Sequence, residues 1–356
     1  MKVPKLHIGG LVADIPIVQG AMGIGVSGPH LAAAVAREGG VGVLAGVHIG
    51  YDEPDFAVNP LAANLRALKA RIAHARQMAQ GGILGVNLMV AMNHYGEMVR
   101  AAVEEGIDLI VSGAGLPLKL PEFAKGIKTR LAPIVSSGKA ARVIAQYWEA
   151  HYGRTPDMVV VEGPEAGGHL GFSHEALTGG EKPSVLDIVR DVAEAIRPIR
   201  EKHGRDIPVV AAGGVYTGAD IAKCLDAGAG GVQMATRLAA TDECDAHERF
   251  KQAYVEAREE DVVIIQSPVG MPGRALNNAF VRALGLAQAQ GIRCSQCLKG
   301  CNPVTAPYCI SKALINAVRG NVDEGLVFAG SSVHRIDRIV PVRGLVRELV
   351  DGLDMA

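Results

Sequence analysis

Aromatic residues make up only 4% of this chain, with a single tryptophan. That scarcity argues against an aromatic-rich β-sandwich. The 36 basic and 37 acidic residues leave a net charge of −1, so no basic excess exists to neutralise a phosphate backbone, and nucleic acid is not expected as a partner. No apolar run approaches the ~20 residues that a membrane helix needs, so no membrane contact is expected. The N-terminus, Met1-Lys2-Val3-Pro4-Lys5-Leu6-His7, lacks the apolar core of a signal peptide. The compartment expected is the cytoplasm. There the six cysteines are free, catalytic or metal-bound rather than disulfide-linked.

Hydrophobic residues reach 49%, and glycine counts 44. Small, branched apolar residues with abundant glycine suit repeated strand–helix packing. Short β-rich runs recur at 15–22, 41–45, 83–90, 108–112, 132–136, 157–161, 207–212 and 231–236, each ending in glycine or another small residue. Helical patterns alternate with them at 30–37, 61–80, 95–105, 139–151, 185–203 and 219–227. Eight strands alternating with crossover helices predict an α/β fold, a closed parallel (β/α)8 TIM barrel. An open doubly wound sheet is the second choice. Its dinucleotide turn has only a glycine-rich counterpart here, Gln19-Gly20-Ala21-Met22-Gly23-Ile24-Gly25, with no acidic partner at the expected distance.

After the eighth strand the pattern changes. A helix is expected over 245–261, a Gly/Pro loop over 266–274, a helix over 277–288, a cysteine-bearing loop, then helices at 311–318 and 342–349. Residues 1–240 are read as the barrel. Residues 241–356 are read as a C-terminal helical, cysteine-bearing subdomain beside its mouth.

Barrel enzymes of this kind carry their sites at the C-terminal ends of the strands. The sixth run, Val159-Val160-Val161, breaks into Glu162-Gly163-Pro164-Glu165-Ala166-Gly167-Gly168-His169. Taken alone this reads first as a turn that needed glycine. At a strand end, His169 is a candidate acid, base or hydrogen-bond donor. Gly213-Gly214 ends the seventh strand, and Gln233-Met234-Ala235-Thr236 ends the eighth. Together they can offer backbone amides to a phosphate, although each is by itself an ordinary strand exit. Asn87 brings an amide to the third strand, suited to a ring edge or to bonding within the barrel.

These motifs, with Ile17-Val18-Gln19-Gly20-Ala21-Met22 and Pro268-Val269-Gly270-Met271-Pro272-Gly273-Arg274, resemble in order the nitronate monooxygenase family. That family also goes by the name 2-nitropropane dioxygenase, and it includes the FMN-dependent enoyl-acyl-carrier-protein reductase II. The resemblance implies an FMN-binding barrel. The ring lies against Ala21, Met22, Gly23 and Asn87, the phosphate sits at Gly213, Gly214, Gln233, Ala235 and Thr236, Gly167 approaches by backbone, and His169 is the active-site histidine. Glu162 stands where relatives often carry glutamine, and Ala235 where they carry glycine.

Two chemistries share such a site. One oxidises alkyl nitronates through flavin and oxygen. The other reduces an enoyl thioester, with electrons from NAD(P)H, or from a protein donor through an iron-sulfur cluster. In either case the substrate is a small molecule, and a homo-oligomer is among the expectations. A different class, a non-redox isomerase or lyase gripping a sugar phosphate, would draw on Lys139 and Glu165. A third class is a barrel that has lost catalysis and serves as a binding partner.

The spacing Cys294-x2-Cys297-x3-Cys301-x7-Cys309 is the second signal. Three close thiols followed by a fourth suit a [4Fe-4S] cluster, with zinc and unligated thiols as alternatives. Most members of the family lack this tail. Cys224 is read as packing. His48 and His94 are candidates for the mouth, His174 and Glu175 for a covering loop, and His151, His203 and His247 for solvated helix faces.

Overall fold

The computed structural model describes residues 3–126, 128–179, 183–284 and 294–354. Eight parallel strands close into a barrel in the order Ile17–Gln19, Val41–Ala45, Ile83–Met89, Leu109–Gly113, Arg130–Val135, Val159–Glu162, Val209–Ala212 and Gly231–Met234, the last pairing with the first. The (β/α)8 barrel expected from the alternation is therefore the fold.

Alternation along the strands divides their side chains. Val18, Val41, Val43, Leu109, Val111, Val160 and Val210 fill the interior as one buried cluster. Ile17, Leu44, Leu84, Val86 and Val161 face the surrounding helices. An interior packed with branched side chains leaves no space for a ligand, so a site can form only at a barrel end. The N-terminal end is plugged by a hairpin of Leu6–Ile8 and Leu11–Ala13, whose Leu6, Ile8 and Ala13 join the interior cluster. That hairpin was not expected from the sequence. It leaves the C-terminal mouth as the open face.

The chain beyond the barrel departs from expectation in three places. The helix foreseen over 245–261 is shorter, Glu248–Val255, followed by a 3-10 turn at Glu259–Asp261. There the Arg258 N–H donates to the Asp261 carboxylate at 2.9 Å, a local bond that competes with helix continuation. The segment foreseen as a loop over 266–274 belongs to an antiparallel hairpin, Val262–Gln266 with Pro272–Leu276. The β-branched run Val262-Val263-Ile264-Ile265 supplies the first strand, and the Gly/Pro content marks only the turn. Third, the helix foreseen over 277–288 is the short Ala279–Ala283, and residues 285–288 lie outside the described residues.

Helix Ile310–Val318 follows the cysteine loop. Helix Val342–Asp354 packs on Gly218–Asp226 and Pro29–Arg37, in the outer position between the helices that follow the seventh and first strands. Its Glu348 takes both Arg237 Nη atoms, at 2.8 and 3.0 Å. Leu345 and Leu349 thereby join the same buried cluster as the barrel helices. A second cluster, containing Ile265, Cys297, Leu298, Ile310 and Leu326, lies under the C-terminal segment. Among the described residues no helix is long and apolar enough to cross a membrane.

Candidate active site

The strand ends surround a cavity of about 260 Å³. The sixth strand runs buried through Val161 and releases Glu162 into the cavity wall. Beyond it, the loop to His169 is held from outside. Arg274, itself buried, donates to the carbonyls of Pro164 and Ala166, each at 2.6 Å. Gly168–His169 then adds as a third strand to the hairpin, His169 opposite Gly273.

The His169 ring is clamped on two sides. Its Nε2 lies 2.7 Å from Ser267 Oγ, and Phe328 meets it edge-on with ring centroids 5.0 Å apart. Burial pulls the imidazole pKa down to about 4, so the His169 ring is neutral at physiological pH. Glu162 moves the other way. Burial pushes its carboxyl up to about 7, opposed only by a hydrogen bond from the Gly171 backbone.

Gly213 and Gly214 take φ of +95° and +79°, a region that side chains rarely adopt. A Cβ on Gly213 would stand 2.8 Å from Ala166 N, and one on Gly214 would stand 2.1 Å from Glu165 Oε2. The glycines thus let the sixth-strand loop pack directly against the end of the seventh strand, and both border the cavity. Its far side comes from a segment that the sequence did not suggest. Gly330 N donates to Thr236 Oγ1 at 3.0 Å, and a Cβ on Gly167 would strike the Ala329 carbonyl carbon at 2.5 Å. Residues 329–332 therefore pack on the sixth-strand loop and the end of the eighth strand and line the cavity. The signal available for this was the small run Gly330-Ser331-Ser332 after an apolar stretch, which marks close backbone approach.

The residues singled out from the sequence share this one cavity: Ala21, Met22 and Gly23 from the first strand, Asn87 from the third, Glu162, Gly167 and His169 from the sixth, Gly213 and Gly214 from the seventh, Gln233, Ala235 and Thr236 from the eighth. Glu165 lines it too, while Lys139 does not. His48 and His94 are not among its lining residues. His48 is buried edge-on against Phe56, and His94 sits beside Glu97 at 3.5 Å. His203 pairs with Glu149, and Cys224 is buried in its helix. Leu298, Ile310, Leu314, Leu326 and Phe328 complete an apolar wall that sequence reasoning missed.

Among the described residues no three His, Cys, Asp or Glu side chains come together as a metal-ion ligand set. Cys294 is exposed, Cys301 and Cys309 are half-buried, and Cys297 is buried in the cavity wall with Leu298 and Ile310. Burial pushes the Cys297 and Cys301 thiols up, and the other cysteines of the motif push the same way. Neither a [4Fe-4S] cluster nor zinc at Cys294, Cys297, Cys301 and Cys309 is supported.

A barrel with a cavity at its mouth and a clamped, neutral histidine in that cavity's wall fits an enzyme, and comparison with known proteins gives its kind. The model of the nitronate monooxygenase family matches residues 7–352, and the chain belongs to that family of oxidoreductases. A curated relative, the (3aS,4S,5R,7aS)-5-hydroxy-7a-methyl-1-oxo-octahydro-1H-indene-4-carboxyl-CoA dehydrogenase of Rhodococcus jostii, is 31% identical over 277 residues, 76% of this chain and 64% of that protein. The match thus spans a little under two thirds of that relative's length. Among solved structures, FabK from Thermotoga maritima superposes with a TM-score of 0.74 at 28% identity, covering 96% of this chain and 93% of that one. Nitroalkane oxidase from Streptomyces ansochromogenes superposes with a TM-score of 0.71 at 25% identity, covering 96% of both chains.

Proposed function

We propose that this protein is an FMN-dependent oxidoreductase that oxidises alkyl nitronates, with His169 engaging the substrate. The observation that carries the reading is the conjunction of the Gly213–Gly214 cradle and the Ser267-bound His169 across one cavity. A cradle of left-handed glycines, which any Cβ would fill, suits a phosphate held by backbone N–H groups. Gly213, Gly214, Gln233, Ala235 and Thr236 would hold the phosphate end, and Ala21, Met22, Gly23, Asn87 and Glu162 the ring. Bound FMN supplies the redox chemistry, accepting electrons from the substrate and passing them to oxygen.

The chain's own part is to bind, orient and move a proton. A neutral His169 has one nitrogen that donates and one that accepts. It can hold a nitro oxygen by hydrogen bond or take the α-proton of an uncharged nitroalkane. The apolar wall of Leu298, Ile310, Leu314, Leu326 and Phe328 excludes water from the substrate side.

That wall also favours a second reading, reduction of an enoyl thioester with electrons from NAD(P)H or a protein donor. Among the described lining residues, the cationic side chain is Arg237, and Glu348 pairs with it. A neutral acyl thioester needs no cation, whereas a nitronate anion does better with one. The relatives named for a carboxyl-CoA substrate and as FabK point the same way.

A yellow holoprotein with flavin absorption is the expected preparation. A colourless protein that cannot be loaded with FMN sinks both readings. Anaerobic reduction of the flavin separates them: bleaching by a nitronate supports the first, and bleaching by NAD(P)H with reoxidation by an enoyl thioester supports the second. His169→Ala should keep FMN bound while turnover falls by roughly 10²–10⁴-fold. Unchanged turnover assigns His169 a structural place only.

A further inference from the structure

We infer that Glu162 meets the flavin ring as a carboxylic acid, giving a hydrogen bond that a carboxylate could not give, so that FMN is held through a proton. The inference rests on the proposed FMN dependence of this protein.

Glu162 ends the sixth strand and lines the cavity. It stands level with Ala212 on the seventh strand, and Ala212 stands level with Gln233 on the eighth. On its other side Val161 pairs with Val135, and the fifth strand then gives way to Ser136. Neither flanking strand end brings a charge. The helix Val185–His203 packs on the sixth strand, and its first acids are occupied. Asp187 pairs with Arg190 at 2.7 Å, and Asp191 accepts the Gly138 N–H at 2.7 Å.

The other titratable side chains among the described lining residues are Glu165, His169, Tyr216, Arg237, Tyr254 and Cys297. His169 is neutral and bound to Ser267. Burial raises Tyr216, Tyr254 and Cys297, so each keeps its proton. Arg237 is committed to both oxygens of Glu348, at 2.8 and 3.0 Å. That leaves two carboxyls in one wall. Glu165 has a cation beside it in Arg274, and Glu162 has none. Of two carboxyls that share a site, the one without a cation is the one that keeps its proton. Burial acts in the same direction, pushing the Glu162 carboxyl up to about 7. The exposure left to Glu162 is toward the cavity, and a ring seated there removes it, favouring the neutral form further.

An ionised carboxylate only accepts hydrogen bonds, whereas the acid gives one and accepts as well. The polar edge of a flavin presents carbonyl oxygens, which repel a carboxylate and accept from an acid. Asn87 and Gln233 line the same cavity, and each amide both gives and accepts. The acid form makes Glu162 their equal. Above about pH 7, binding FMN then takes up a proton, and affinity falls as pH rises.

The test is FMN affinity from pH 6 to pH 8.5, read by flavin fluorescence on the full chain stripped of cofactor, for the wild type and Glu162→Gln. Glutamine keeps a donor at every pH. The wild-type Kd should rise about tenfold or more across the range, and Glu162→Gln should lose most of that rise. The phosphate of FMN titrates near pH 6 for both proteins, so its effect cancels in the comparison. Calorimetry at pH 8 in two buffers of different ionisation enthalpy reads the proton itself. Uptake is expected in the wild type and not in the variant. An equally steep Kd profile in Glu162→Gln overturns the inference. If circular dichroism shows that the variant does not fold, the wild type decides alone: FMN binding at pH 8 without proton uptake overturns the inference and leaves the FMN reading standing. A protein that takes no FMN at any pH overturns both.

Discussion

Arg274 reaches 2.6 Å to the carbonyl of Ala166, a residue 108 positions earlier in the chain, and the same Nη1 serves Pro164 at 2.6 Å. The guanidinium therefore does for the sixth-strand loop what a neighbouring strand would otherwise do. It satisfies buried carbonyls and fixes the path on which His169 is carried. Burial pulls its pKa down while the charge of Glu165 pushes it back up.

Replacing Arg274 with methionine keeps much of the volume and removes both bonds. Stability should fall by about 3 kcal/mol, as expected for two carbonyls that lose a charged donor. Flavin retention should fall with it, because the loop that walls the cradle loosens. Urea unfolding and flavin released on gel filtration check the two parts. A stable, fully loaded variant would show that the loop holds its course without Arg274.

Gly213→Ala tests the cradle directly. The change forces a side chain into φ +95° and puts its Cβ 2.8 Å from Ala166 N. The backbone strain alone costs about 1–2 kcal/mol. FMN affinity should drop by at least tenfold while the barrel persists, measured by fluorescence titration alongside circular dichroism. Unaltered affinity would remove Gly213 from the phosphate site.

Three buried groups make stability depend on pH with opposite signs. His48 and His169 have pKa values near 4 in the fold against 6.5 in the open chain. Between those values the unfolded state binds more protons, so the stability they contribute is full above about pH 6.5 and is lost as pH falls toward 4. Glu162 is raised from 4.5 to about 7, so the folded state binds more protons in that window, and stability declines as pH rises through it. Glu162→Gln should therefore gain on the wild type between pH 5 and pH 8, by on the order of 1–3 kcal/mol. Denaturant midpoints at the two pH values measure this, and a gap that does not change with pH refutes it.

Thiol reactivity should follow burial rather than spacing. Cys294 is exposed, whereas burial pushes Cys224 up to about 11 and Cys244 up to about 12. Iodoacetamide at pH 8 should label Cys294 first, and Cys224 and Cys244 only on unfolding. Peptide mass spectrometry over a time course reads the order. Early labelling of Cys244 would contradict the packing beside Val26 described by its 3.6 Å contact.

The barrel was legible because its signal is periodic. Each strand is a short branched run that ends in a small residue, and each crossover helix has a stripe of apolar positions. The strand-end residues followed from that, since a (β/α)8 fold dictates where strand ends meet. Val262–Gln266 was hidden by the glycines and prolines of the turn beside it. The wall at residues 329–332 was hidden for another reason. It is made by backbone proximity between distant segments, and nothing local in Gly330-Ser331-Ser332 names Thr236 or Gly167 as its neighbours. The cysteine spacing suggested a ligand set that the described residues do not support, because spacing along a loop does not say where the thiols turn. Cys297 went into an apolar wall and Cys294 into solvent.

The bond from Gly330 to Thr236 joins residues 94 apart in the chain. On the ribosome, synthesis runs from the eighth strand outward, and domains organise as their residues emerge. An elongating chain that has completed all eight strands still offers its glycine cradle to bulk water on one side. The berth closes only when residues 329–332 arrive and dock. A truncation before residue 329 would leave that side of the mouth open and would also strip the barrel of its outer helix Val342–Asp354.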